Sequence, residues 1–194
     1  MSAATLAADS FADYAARLKT VLSGSDWSGV ALLAKAMHEC WLSKRQVFIC
    51  GNGGSAGNAI HLANDFLYGI AKRTGAGLRV NALSANPAVM TCLANDVGYE
   101  AIYSEQLAVQ GQSGDLLIVL SGSSNSPNIV AALTQARSMG VKSFAILGYG
   151  GGKCKGLADV AIHFAVDDMQ ISEDMQLIVG HMLMQWLYAN RPQP

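Results

Sequence analysis

The chain has 194 residues, 51% of them hydrophobic and only 14% charged, with a formal net charge of -1 at pH 7. That composition excludes disorder, and the absence of a basic surplus excludes nucleic acid as a direct partner. No apolar run reaches the ~18 residues of a membrane span, and the opening MSAATLAADSFADY lacks the basic stretch and apolar core of a secretory leader, so a cytoplasmic location is expected.

The length suits one domain, read here as a helical extension over 1–45 and a strand-helix core over 46–190. The first helix is expected from Ala3 to Leu22, with Phe11, Tyr14, Ala15, Leu18 and Leu22 at helical spacing. Gly24 and Ser25 break it, and Asp26 is placed to cap a second helix carrying Val30, Leu33, Met37 and Trp41. Then the period changes. Gln46 to Cys50 is a short apolar strand, followed by the loop Gly51-Asn52-Gly53-Gly54-Ser55 and a helix to about Tyr68. Leu78 to Leu83 reads as a strand, Pro87 opens a helix to about Ala94, and another helix is expected from Glu100 to Gln110.

Leu116 to Leu120 is the most apolar strand. Ser126 and Pro127 open a helix that Gly140 closes near Met139. Lys142 to Leu147 is a strand, Gly150 to Gly152 a loop, and Val160 to Val166 the last strand. Ser172 is expected to cap a final helix reaching Asn190. Five apolar strands alternating with helices predict an α/β fold: a doubly wound, five-stranded parallel sheet flanked by helices, with two leading helices. The final helix carries apolar residues almost all round, which predicts burial in an oligomer interface.

The four cysteines, Cys40, Cys50, Cys92 and Cys154, are scattered and read as buried thiols. Three motifs mislead. Gly51-x-Gly53-x-x-Ala56 fits a dinucleotide fingerprint, but Phe66 to Asn95 contains no Asp or Glu to hold a ribose, so no nucleotide cofactor is expected. Gly53-Gly54-Ser55-Ala56-Gly57 fits a nucleophile elbow, with Asp159 or Asp168 and then His181 in hydrolase order, and a serine hydrolase using Ser55 is a minor alternative. That elbow normally follows several strands, and here only helices precede it. The run from Gly148 to Lys153 resembles a Walker A loop but fails its spacing at Leu147 and Cys154.

The informative loops stand at strand carboxyl ends, where such folds bind ligands. Ser121-Gly122-Ser123-Ser124-Asn125-Ser126 gathers hydroxyls at a helix start, a pattern suited to a phosphate. Gly51 to Ser55 lets backbone approach a ligand, with Asn52 positioned for a sugar hydroxyl. Asn95 and Asp96 add an amide and a carboxylate. His61 and Asp65 share one helix face, while Glu173 and His181 lie roughly 12 Å apart along the last helix. Two histidines and two carboxylates suit a divalent metal or metal-free acid-base work equally.

Taken in order, GNGGS at 51–55, His61, Asn95-Asp96, the serine loop at 121–126 and His181 resemble the sugar isomerase (SIS) domain family, in its phosphoheptose isomerase branch. The resemblance covers essentially the whole chain. It implies a homotetramer with sites between subunits. The implied reaction converts sedoheptulose 7-phosphate to a heptose 7-phosphate through an enediol, serving lipopolysaccharide or other surface-sugar synthesis.

It further implies substrate contacts from Asn52, Gly53, Gly54, Ser55, Asn95, Asp96, Ser121, Gly122, Ser123, Ser126 and Glu173. Zn2+ ligands would be His61, Asp65, Glu173 and His181, with Asp65 as catalytic base and His181 as its partner. Four positions depart from the family pattern: Asp65 stands for a glutamate, Glu173 for a glutamine, Gly122 for a threonine and Ser124 for a glycine. A relative in the family instead binds the replication initiator DnaA as a non-catalytic tetramer, and that is the alternative reading. It has lost the catalytic acid and the last histidine, whereas this chain has Asp65 and His181.

Overall fold

The computed structural model describes residues 3–192. Helices α1 (Ala3–Gly24) and α2 (Ser28–Leu42) lead into β1 (Gln46–Gly51). Asp26 does prepare the start of α2: its carboxylate accepts from the Ser28 amide at 2.9 Å and the Ser28 hydroxyl at 2.7 Å, which holds it below the usual carboxylate range. Tyr14, Leu18 and Leu22 pack on the core as the spacing predicts, but Phe11 is 73% exposed.

After β1 come α3 (Gly54–Asn64), a π-helical turn (Asp65–Gly69) and α4 (Ile70–Thr74), which form one continuous helical arm beyond the expected end at Tyr68. Then follow β2 (Arg79–Ala82), α5 (Pro87–Asp96) and α6 (Ser104–Gln110). The single helix expected over 100–110 is split, with a 3-10 turn at Tyr99–Ala101 preceding α6.

The chain continues through β3 (Leu116–Ser121), α7 (Pro127–Met139), β4 (Lys142–Leu147), α8 (Gly152–Leu157), β5 (Val160–His163) and α9 (Met169–Ala189). Gly140 closes α7 with a φ of +68°, the left-handed conformation expected of a C-terminal glycine. The loop expected at 150–152 instead turns into α8, and the last strand ends at His163 rather than Val166. The cap of α9 is Asp168, which accepts from the Ile171 amide at 3.0 Å; Ser172 lies within the first turn, its hydroxyl donating to the Asp168 carbonyl.

All strand pairs are parallel, in the order β2-β1-β3-β4-β5. The connections reverse direction between β1 and β3, so the carboxyl ends of these neighbours form the crevice where such sheets bind ligands. Strand alternation feeds two cores. Val47, Ile49, Ile118 and Phe144 face α2, α3 and α9; Phe48, Cys50, Val119 and Ala145 face α6, α7 and α8. β3 is buried along its whole length, as a central parallel strand must be.

Three cysteines are buried thiols, but Cys92 is exposed on α5 and donates to Asp96. Burial raises the Cys40 and Cys154 thiols to about 11, so neither is a thiolate at neutral pH. The apolar girth of α9 is only partly covered within one chain, since Met182 and Trp186 are each 40% exposed.

Candidate active site

The first loop is built by glycine. β1 ends at Gly51, whose carbonyl accepts from the buried Tyr103 hydroxyl at 2.5 Å. Gly53 then takes φ +56° and ψ -122°, a conformation that residues with side chains rarely adopt, and the chain turns directly into α3. Asn52 is held by a reciprocal amide pair with buried Asn128, 2.8 Å in each direction, and its oxygen also accepts from Tyr99 at 3.3 Å.

The second loop is braced from within. Ser124 is fully buried with φ +61°; its amide donates to the Ser121 hydroxyl at 3.0 Å and its own hydroxyl to the Ser121 carbonyl at 3.1 Å. From the other side, the start of α8 donates to the Ser124 carbonyl and the Asn125 side chain. Ser126 precedes Pro127 at the head of α7 and makes no side-chain capping bond, so its hydroxyl is available to a ligand.

The two loops face each other across a cavity of about 270 Å³, lined by Asn52 to Ser55, Leu120 to Ser123, Ser126, Met169 and Glu173. The amino ends of α3 and α7 both open onto it, and their free amides and dipoles favour an anion. Glu173 is the one charged side chain among the described lining residues. Its carboxylate sits where a Cβ on Gly54 would be, so the glycine makes room for it.

A second cluster stands on the α3 and α9 helices. His61 and His181 approach Nε2 to Nε2 at 3.3 Å, and Asp65 Oδ2 lies 3.4 Å from one and 3.7 Å from the other. The reason is local packing. Gly180 presses against Leu62, leaving no space for a Cβ, and this close helix contact sets the neighbouring histidines side by side. One turn earlier, Gln176 bonds Ser55 at 2.9 Å and Asn58 at 3.0 Å, which fixes the same helix pair. Asp65 opens the π-helical turn, an irregularity often found where a helix carries function.

Two imidazole nitrogens at this separation need a proton or a cation between them. The three donors fit a cation: a tetrahedral zinc with bonds of about 2.0–2.1 Å spaces its ligands about 3.4 Å apart, close to the separations found here. The imidazoles are half-exposed and Asp65 mostly buried, which leaves one side open to a ligand.

The residues expected to act together therefore fall into two groups. Asn52, Gly53, Gly54, Ser55, Ser121, Gly122, Ser123, Ser126 and Glu173 line the cavity, while His61, Asp65 and His181 form the donor cluster. Glu173, the fourth donor that the resemblance implies, lies outside that cluster. Asn95 and Asp96 end α5, exposed, with Asn95 donating to Asp96 at 2.7 Å, and neither lines the cavity.

Sequence reasoning missed Asn128, Tyr99 and Gln176. Only Gln176 left a signal: Ser172, Gln176 and Gly180 recur every four residues, a polar and small stripe on one side of α9. The hydrolase alternative finds no triad, because buried Ser55 is bonded to Gln176, Asp159 to Ser143 and Asp168 to the Ile171 amide and Arg17.

A family model for the SIS domain matches residues 10–148. A phosphoheptose isomerase of Akkermansia muciniphila is 41% identical over 138 residues, 71% of this chain and 72% of that protein. One from Chlorobaculum parvum is 35% identical over 178 residues, 89% of this chain and 83% of that protein. The solved phosphoheptose isomerase of Francisella tularensis superposes with a TM-score of 0.89 at 25% identity, covering 97% of this chain and all of that one. The family match ends at residue 148, before α9, while the likeness to the Chlorobaculum parvum and Francisella tularensis proteins extends over 89% and 97% of this chain.

Proposed function

The chain belongs to the SIS domain family, and from that premise we propose that it is a sugar phosphate isomerase converting sedoheptulose 7-phosphate to the corresponding aldose. The observation that carries this reading is the pairing of an anion cavity, headed by two helix amino ends, with a carboxylate-imidazole cluster on the adjoining helices. The alternative tetramer that binds DnaA has no use for Asp65 set against His181.

Isomerisation moves one carbon-bound proton and one oxygen-bound proton. The phosphate rests against Ser121, Ser123 and Ser126, whose hydroxyls donate without adding charge. Asp65 removes the proton from C1 of the ketose, giving an enediol, and returns it to C2. His181 carries a proton between the two oxygens through Nδ1, its Nε2 being turned toward His61 and Asp65, so the carbonyl passes from C2 to C1 with no net change. His61, Asp65 and His181 would hold a divalent metal such as Zn2+, which when bound supplies Lewis-acid polarisation of the substrate oxygens. Asp65 Oδ2 faces both imidazoles while Oδ1 meets only the Asn64 amide at 3.4 Å, so Oδ1 is the oxygen free for proton transfer.

The proposal includes a tetramer that hides the half-exposed Met182 and Trp186 and brings Asn95 and Asp96 to a neighbouring site. No helix among the described residues is long and apolar enough to cross a membrane; a cytoplasmic enzyme feeding lipopolysaccharide synthesis is the proposed setting. Zinc-loaded protein mixed with sedoheptulose 7-phosphate and followed by proton NMR should accumulate an aldose phosphate. No aldose from this or any other ketose phosphate, together with binding to an initiator protein, would favour the non-catalytic alternative.

A further inference from the structure

The first turn of α9 is seated on glycines in three different strand-end loops. A Cβ on Gly54 would collide with the Glu173 carboxylate, one on Gly122 with the Met169 sulfur, and one on Gly148 with the Ser172 hydroxyl. The turn thus forms one wall of the phosphate cavity, contributing Met169 and Glu173 to it. From α3, the Asn58 side chain donates to the Glu173 carbonyl at 3.0 Å, and buried Ile171 and Met175 anchor the turn in the core. From outside, α1 adds two further contacts.

The Tyr14 hydroxyl donates to Asp174 Oδ2 at 2.5 Å, and the Arg17 guanidinium pairs with Asp168 Oδ2. Asp174 adjoins Glu173, and Asp168 is the cap whose other oxygen accepts from the Ile171 amide. The two contacts therefore straddle the turn, one at its cap and one a residue past Glu173. Tyr14 and Arg17 are three apart and lie on one face of α1; Asp13 adds a second partner for Arg17 at 3.1 Å. The Arg17 pair is half-exposed and contributes little stability by itself. Its consequence is placement.

We propose that Tyr14 and Arg17 are positioning residues of the active site, fixing the first turn of α9 and thereby the wall of the phosphate cavity that Met169 and Glu173 form. This rests on the isomerase reading for its kinetic consequence, though not for its structural one. Loosening the strap displaces the wall without touching Asp65 or His181. Phosphate binding then weakens while proton transfer does not.

The test compares Tyr14→Phe, Arg17→Ala and the double variant with wild type in the intact, metal-loaded protein. KM for the phosphosugar should rise about tenfold in the double variant, with kcat held within about a factor of two. Arg17→Lys should recover at least half of the Arg17→Ala loss. Amide hydrogen exchange should quicken at Ile171 and Ser172 and across 121–124, with the remaining strands protected as in wild type. Unchanged exchange at these amides overturns the proposal whether or not the protein is active. So does a parallel fall in kcat and melting temperature with KM unchanged, the mark of a purely structural contact. If wild type turns over no ketose phosphate, the isomerase reading fails and the exchange pattern alone decides the strap.

Discussion

Gly180→Ala tests how the donor cluster is assembled. The added methyl would sit inside the space of the Leu62 side chain, where α3 and α9 touch. Forcing a methyl into a packed contact costs about 1–3 kcal/mol. Replacing glycine by alanine within a helix returns about 1 kcal/mol. The net loss is near 1 kcal/mol, a fall in Tm of roughly 2–4 °C for a domain of this size.

The larger effect falls on the site. His61 and His181 directly adjoin Leu62 and Gly180, so the helices cannot part without widening the 3.3 Å gap between the imidazoles. Zinc affinity, read by competition with a chromophoric chelator, should fall about ten- to a hundredfold, as when a supporting group around a metal is lost. The double variant Leu62→Ala/Gly180→Ala gives the methyl room and should recover much of that affinity. A Gly180→Ala protein that melts lower yet binds zinc like wild type would refute the idea that this contact sets the histidine spacing.

Asp65→Asn keeps the shape but removes the proton acceptor, and kcat should fall about 10²- to 10⁴-fold with the fold intact by circular dichroism. Glu173→Gln removes the carboxylate from a cavity built for an anion; relief of about 1 kcal/mol of repulsion should lower KM for the phosphosugar roughly fivefold in steady-state assays. The Tyr14 hydroxyl is raised to about 12, chiefly by its hydrogen bond to Asp174. A pKa raised on folding stabilises the native state fully below the unfolded tyrosine value of about 10 and loses that contribution as pH climbs from 10 toward 12. Urea midpoints should therefore fall more steeply over pH 10–12 in wild type than in Tyr14→Phe.

The sheet was legible in the sequence because β3 is apolar from Leu116 to Leu120, β4 is apolar from Phe144 to Leu147, and the helix between them is punctuated by Pro127 and Gly140. The α8 helix was hidden by its glycine-rich start, since loop propensity at 150–152 outweighed the short run that follows. The helix expected at 100–110 broke because Ile102 and Tyr103 turn inward to the core, a tertiary preference that no local pattern records.

At the site, the loops and the pairing of His61 with Asp65 followed from spacing. The meeting of His61 with His181 did not: 120 residues separate them, and they are joined only through tertiary contacts between α3 and α9, Leu62 against Gly180 and Gln176 bonded to Ser55 and Asn58. Likewise Asp168 displaced Ser172 as the cap because Arg17, far away in sequence, holds it there.

Isomerisation in deuterium oxide tests the central claim most directly. If Asp65 carries the proton from C1 to C2, the aldose phosphate formed should contain deuterium at C2 to the extent that the carboxyl exchanges with solvent, and Asp65→Asn should lower turnover and label formation together, about 10²- to 10⁴-fold. Undiminished turnover and labelling in Asp65→Asn would contradict the account.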